Sequence, residues 1–249
     1  MSGCETVREW HDLLAQVAVA KTGKYATRES GDTVETVERP NGGLSVVMAD
    51  GQRSGRSAKV ISNVVVRKAL SLLAEGVRDG AAARAAHDYL RTSRSGQVSA
   101  TLNILSLDLA TGTVVISRNS HCPALVIRGG QVMALDEPSE AVGIHPRVKP
   151  AISELPIEAD LCVVAFTDGV QGAGHLSGGS WDVASFVGQC LAEGVHGAPD
   201  LADAILLQAR ALDAGRPRDD MSVAVLWLLQ AEGHDGARRL QVSVPLGSH

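Results

Sequence analysis

Two apolar runs of strand length end on the same dipeptide, and a third begins on a pair of acids. Val46-Val47-Met48-Ala49 runs into Asp50-Gly51, and Leu161 to Phe166, through Thr167, runs into Asp168-Gly169. Asp219-Asp220 stand immediately before Met221 to Leu229. A short run with almost no polar member reads as a strand buried on both faces, so the sheets that hold these strands must be covered on either side. The chain therefore has to fold in layers, with an acid at the end of each of these strands.

The segments between agree with that requirement. Thr33 to Glu38 and Leu44 to Ala49 read as two strands joined by Pro40-Asn41-Gly42-Gly43, a strong turn signal. Ala58, Ile61, Val65, Ala69 and Leu72 recur at helical spacing just after Gly55, and a second helix runs to Leu90 with Asp79 as its cap. Strands are expected over Ser99 to Leu109, Thr113 to Arg118, Ala124 to Arg128 and Gln131 to Leu135, with Gly129-Gly130 as a two-residue hairpin loop. Val183, Phe186, Val187, Cys190 and Leu191 form the stripe of a helix behind a Ser180 cap; Leu201, Ala204, Ile205 and Leu212 form that of another after Pro199. This order predicts an α+β fold: two antiparallel sheets packed face to face, with helices on their outer faces.

No repeat or low-complexity linker interrupts this alternation, so residues 1–230 read as a single domain. Residues 231–249 form a C-terminal tail that begins polar, with one further strand expected at Leu240 to Val244. A net charge of −5 and 3% aromatic residues leave neither a basic face nor stacking platforms for nucleic acid. No apolar stretch approaches the ~20 residues of a membrane span, and Met1 to His11 has no apolar signal region, which predicts a cytoplasmic protein. Cys4, Cys122, Cys162 and Cys190 are scattered, with no C-x-x-C pair, and Cys162, inside an apolar run, reads as a small buried hydrophobe rather than a ligand.

In an antiparallel sheet the start of one strand lies beside the ends of its neighbours. Asp219 should then stand near Asp168, and Asp32, just before the first strand of the hairpin, should face Asp50. Four acids gathered at one end of the sheets would repel one another strongly unless cations neutralised them. An oxygen-only ligand set points to Mg²⁺ or Mn²⁺ rather than Zn²⁺. A pair of such ions about 3.5–4 Å apart activates water and clamps a phosphoryl group, which makes hydrolysis of a phosphate ester the fitting chemistry.

At these residues the chain resembles the bacterial SpoIIE/RsbU/RsbX branch of the metal-dependent type-2C (PPM) serine/threonine phosphatases. The matching pieces are Ser30-Gly31-Asp32, Ala49-Asp50-Gly51 with Ser54-Gly55-Arg56-Ser57-Ala58, Thr167-Asp168-Gly169-Val170 and Asp219-Asp220-Met221-Ser222-Val223. The hairpin Asn119-Ser120-His121-Cys122-Pro123-Ala124 resembles the family's Gly-His-Pro-Pro turn, and Val142-Gly143-Ile144 also falls in place.

The resemblance implies a four-layer α/β/β/α sandwich with two manganese or magnesium ions between the sheets. Asp50 would bridge them, the Gly51 carbonyl would complete one, and Asp168 and Asp219 would bind the other. Asp32 would bind directly or through water, with Asp220 the less certain of its pair. Asp50, Asp168 and Asp219 would then carry catalysis. The implied substrate is a phosphorylated regulatory protein, an anti-sigma-factor antagonist or a stressosome-like component, and the compact chain is most similar to the stand-alone RsbX type. Gln52-Arg53 departs from the family pattern, in which a Gly or a Gly-His-Gly is common. No histidine closely follows Asp50, so no general acid is assigned, and His121 reads as a turn or core residue. Arg53 and Arg56 could attract phosphate or an acidic partner. Two other functions stand beside the phosphatase. One is an inactive module of the same fold that binds a signalling partner; the other is a hydrolase of small phosphoesters, which no Gly-rich phosphate loop supports.

Overall fold

The structure is a computed structural model that describes residues 10, 12–175, 178–179, 181–231 and 233–245. Ten strands and five α-helices follow one another as β1 Leu13–Thr22, β2 Asp32–Glu38, β3 Leu44–Asp50, α1 Gly55–Ala74, α2 Asp79–Ser93, β4 Leu102–Asp108, β5 Thr113–Asn119, β6 Ala124–Arg128, β7 Gln131–Leu135, β8 Ala151–Pro156, β9 Cys162–Phe166, α3 Asp168–Gln171, α4 Val183–Ala192, α5 Ala198–Leu212 and β10 Met221–Gln230. The strands form two five-stranded sheets, ordered β1-β10-β9-β6-β7 and β2-β3-β4-β5-β8. Every pairing is antiparallel.

The four layers follow from which side chains each strand sends to which face. Val46, Met48, Leu105 and Ile116 of one sheet meet Val126, Val163, Ala224 and Leu226 of the other in the central core. Val47, Ala49 and Ile104 point the opposite way, onto the stripe Ile61, Val65, Ala69 and Leu73 of α1 and onto Ala83, Ala86 and Leu90 of α2. On the far side, Leu125, Val164, Val223 and Val225 pack under Val187, Leu201 and Ile205 of α4 and α5. Central strands thus bury both faces, as their unbroken apolar runs require. Among the described residues no helix is long and apolar enough to cross a membrane.

Several local expectations are corrected. Asp79 does not cap α2: Arg78 is the N-cap residue and makes no side-chain capping bond, while the Asp79 carboxylate is drawn inward to Arg39 and Ser106. The Ser180 cap lies outside the described residues; α4 is capped by Asp182, whose side chain accepts from Ala184 N. Residues 119–124 are not a hairpin, because β5 and β6 belong to different sheets and the segment crosses between them. No strand forms at Leu240 to Val244, where Leu240, Val242 and Val244 are 82%, 76% and 68% exposed and meet no free sheet edge.

Candidate metal centre

Register places the acids. The β2–β3 hairpin sets Asp32 directly opposite Asp50. In the other sheet β9 pairs with β10 through Phe166 opposite Val223, and Thr167 N donates to Ser222 O at 3.0 Å. That pairing carries Asp168, just past the end of β9, to the approach of β10, where Asp219 lies. The two strand ends come so close that a Cβ on Gly169 would sit 2.1 Å from the Asp220 carbonyl oxygen, so only glycine fits there.

Asp32 joins the two sheets. Its Oδ2 accepts from Ser222 Oγ at 2.7 Å and from Thr167 Oγ1 at 3.1 Å, both on the opposite sheet. Its Oδ1 is buried and has no hydrogen-bond partner. Lys21 Nζ and Lys59 Nζ both reach this residue, but they donate to its main-chain carbonyl, at 3.0 and 2.7 Å, and not to its carboxylate. Burial, reinforced by the neighbouring Lys21, holds the Lys59 ammonium below its ordinary range.

The electrostatics show the crowding. Burial pushes the Asp50 carboxyl far up, to about 9, and the charges of Asp32, Asp168 and Asp219 push it further in the same direction. Asp32 is raised to about 6, first by burial and then by Asp220, against the Ser222 and Thr167 hydrogen bonds. Asp219 is raised by burial and by Asp168, against the bond it accepts from Asp220 N. The expected four acids are thus gathered from both sheets. No three His, Cys, Asp or Glu side chains among the described residues enclose a single point.

The donor set nevertheless fits a hard divalent ion. It is made of oxygens only, Asp32 Oδ1 lacks a partner where burial demands one, and neither nearby lysine donates to the carboxylates. Gly51 follows Asp50 against the first turn of α1, and a Cβ there would lie 2.1 Å from Ala58 O. The strand ladder continues past it, with Gly51 bridged to Ala100 and Ala100 to Val142.

Asp220 differs from its neighbour. It is buried, and both carboxylate oxygens are engaged: Oδ1 accepts from Lys24 N at 2.9 Å and Oδ2 from Gly31 N at 2.8 Å. It clamps the β1–β2 loop that delivers Asp32, whereas Asp219 is open to solvent on one side while its carboxyl is partly desolvated. The crossover from β5 to β6 passes beside the acids, since the buried Cys122 thiol is pushed up by burial and then by the Asp168 and Asp50 charges. Arg118 holds that crossover through the carbonyls of Ser120 and Cys122, and His121 is exposed on it.

Sequence reasoning missed Lys21, Lys59, Thr167, Ser222 and the clamping role of Asp220. Ser222 did leave a signal, as the one hydroxyl inside the apolar run from Met221 to Leu229.

Two antiparallel sheets between helical layers, with acids of both sheets collected at one end, define the architecture of the metal-dependent PPM-type serine/threonine phosphatases. Within that class, the chain belongs to the SpoIIE family: the model for stage II sporulation protein E matches residues 40–228. Three solved structures show the same fold. The PP2C phosphatase domain of SpoIIE from Bacillus subtilis, with a fragment of its regulatory domain, superposes with a TM-score of 0.74 at 18% identity, over 86% of this chain and 63% of that one. The catalytic domain of the phosphatase PstP in complex with 2 manganese ions gives 0.67 at 14% identity, over 87% and 99%. RsbX in complex with magnesium gives 0.65 at 16%, over 86% and 95%. No curated protein matches the chain in sequence.

Proposed function

We propose that this chain removes phosphate from serine or threonine of a phosphorylated regulatory protein, with Mn²⁺ or Mg²⁺ held as two ions by Asp32, Asp50, the Gly51 carbonyl, Asp168 and Asp219. The observation that carries the reading is the state of Asp50: a carboxyl pressed up to about 9 by burial and by three other acids. A fold that only had to be stable would replace such a cluster, since the repulsion is not repaid within the protein. PstP with manganese and RsbX with magnesium support the choice of ions.

Each residue then has a task. When bound, a divalent pair supplies Lewis-acid polarisation of the phosphoryl group and activation of water. Asp50, opposite Asp32, would serve the ions, and Asp168 and Asp219 would hold them from the side of the β9–β10 sheet. Asp32 uses Oδ2 to lock the sheets and keeps Oδ1 for the metal side. Asp220, with both oxygens engaged, orients the loop before Asp32, which favours Asp219 as the ligand of the pair. Thr167 and Ser222 keep Asp32 oriented. The similarity to SpoIIE and RsbX points to a phosphorylated regulator of the anti-sigma-antagonist or stressosome-like kind as the substrate, acted on in the cytoplasm. Residues 1–230 form the catalytic domain.

The test is turnover of p-nitrophenyl phosphate and of a phosphoserine peptide with Mn²⁺, Mg²⁺ or chelator, beside Asp50→Asn. Metal-dependent release of phosphate from both substrates, absent in the variant, is the expected result. Inertness with every metal and both substrates would leave the chain a binding module of the same fold.

A further inference from the structure

Directly after Asp50-Gly51 the chain forms one wall of a groove of about 300 Å³ that the phosphatase chemistry does not use. Val60, Ile61 and Val98 supply its apolar surface, Gln52, Arg53, Ser57 and Arg94 its polar groups, and no acidic residue lines it. Val60 is 43% exposed although it is a large apolar side chain on α1. Arg53 and Arg94 are both exposed, and no ion pair among the described residues engages either.

The groove is held in shape. Gln52 N donates to Ser99 O at 2.9 Å, and Gln52 Oε1 accepts from Ser99 N at 3.2 Å, a reciprocal pair that fixes residues 98–99 against the exit from Gly51. Arg53 has φ of 79°, in the left-handed region where glycine is the relaxed residue. The chain thus keeps a cationic side chain at a position whose backbone favours none. Two unpaired guanidinium groups beside a cluster of acids make a sharp change of sign over a few residues. A ligand that sends its phosphate to the acids and metals and its carboxylates to the arginines would match both halves.

We propose that this groove binds an acidic, partly apolar stretch of the phosphorylated partner, next in its sequence to the phosphoserine or phosphothreonine. Arg53 and Arg94 pair with its carboxylates, and Val60, Ile61 and Val98 take an apolar side chain between them. The inference rests on the phosphatase reading for the position of the phosphate, and it names what that reading leaves open: the chemistry by which one phosphoprotein is chosen over another.

The experiment compares two phosphoserine peptides, one with glutamates and a leucine flanking the phosphoserine, the other with glutamines in place of the glutamates. Their kcat/KM values are measured in Mn²⁺ for the wild-type chain, for Arg53→Gly and for the Arg53→Gly/Arg94→Gln double variant. Arg53→Gly relaxes the backbone, so a failure to fold cannot mimic its effect. The ratio of the two kcat/KM values is the readout. We expect the wild type to favour the acidic peptide about tenfold through KM, since rim charges act mainly on encounter and are screened by salt, and the double variant to lose the preference. A wild type that does not discriminate, or a double variant that still does, overturns the groove while leaving the phosphatase intact. Should neither peptide nor p-nitrophenyl phosphate be turned over, the phosphatase reading fails, and fluorescence anisotropy of the labelled acidic peptide decides the groove by itself. Salt-sensitive binding lost in the double variant supports it; absence of binding overturns it.

Discussion

Ser222 Oγ, on the strand that closes one sheet, donates a 2.7 Å hydrogen bond to Asp32 Oδ2, on the first strand of the other. The bond couples the two sheets at the end where the acids gather. It also stabilises the charged form of Asp32, against burial and the Asp220 charge, which push that carboxyl up. Ser222→Ala should therefore act on stability and on the site together. A donor to a buried carboxylate is lost, at a cost of about 1–3 kcal/mol. Urea unfolding of the metal-free protein measures the first effect and Mn²⁺ titration the second, with weaker metal binding expected. An unchanged midpoint and an unchanged metal affinity would show that the bond holds nothing in place.

Asp50→Asn should separate stability from activity. Removing the carboxylate most strongly raised by burial and its neighbours relieves that cost, so the metal-free variant should be more stable than wild type by about 1–3 kcal/mol near pH 8, where most of the wild-type cost has built up. Phosphate release should fall to background in the same protein. Equal loss of both properties would mean that Asp50 is a structural residue.

The pH dependence has a definite sign. Asp32 and Asp50 are raised in the folded state, to about 6 and about 9, from an ordinary 3.8. Between those values the folded protein holds protons that the unfolded chain has released, so stability falls as pH rises. The contribution of Asp32 is lost from 3.8 to about 6 and that of Asp50 on up to about 9. Metal-free protein should melt at a higher temperature at pH 5.5 than at pH 8.5. Added Mn²⁺ should reverse the trend, because binding must displace the same protons and so strengthens as pH rises. Melting curves at several pH values, with and without Mn²⁺, check both slopes.

Gly169 is the contact on which the β9–β10 end depends. A Cβ there would lie 2.1 Å from Asp220 O and 3.3 Å from Asp219 Cβ, so the backbone of one strand end must move. Gly169→Ala should cost at least about 2–3 kcal/mol, the scale of an overpacked core, and should pull Asp168 away from Asp219. Turnover should drop even at temperatures where the variant is folded by circular dichroism. Retained turnover would show that the two acids need not be neighbours.

The sequence made the central strands legible because their apolar runs are unbroken, and it made the acids legible because they interrupt those runs. The edges were harder. β1 is only partly buried and Gln16 interrupts its apolar residues, while β8 alternates along its length, follows Pro150 and ends on Pro156, so neither offers a continuous apolar run. The crossover after Asn119 has the turn chemistry of a hairpin, and only long-range pairing decides that β6 joins β9 and not β5. The clamp by Asp220 and the lysines on the Asp32 carbonyl connect residues from 11 to 196 apart in the chain, beyond the reach of any local pattern.

Asp79 illustrates the same limit and carries the last prediction. Its place at the start of an alanine-rich helix suggests a cap, yet its carboxylate pairs with Arg39 Nη1 at 2.9 Å, with the two side chains 4% and 5% exposed. Ser106 Oγ also donates to it, and Ser45 and Ser106 both accept from Arg39. The network ties the end of β2 to α2 and β4, at the opposite end of β2 from Asp32. Asp79→Ala leaves the buried guanidinium only Asp108, 3.8 Å away, as a counter-charge, which should cost about 3 kcal/mol. Replacing both partners, as Arg39→Met with Asp79→Leu, should recover most of that loss, because no buried charge remains. Turnover per folded molecule should stay near wild type in both variants, since the network lies away from the acids. Urea unfolding checks the order of stabilities, and a single variant as stable as the double would mean that Asp108 and solvent suffice for Arg39 without Asp79.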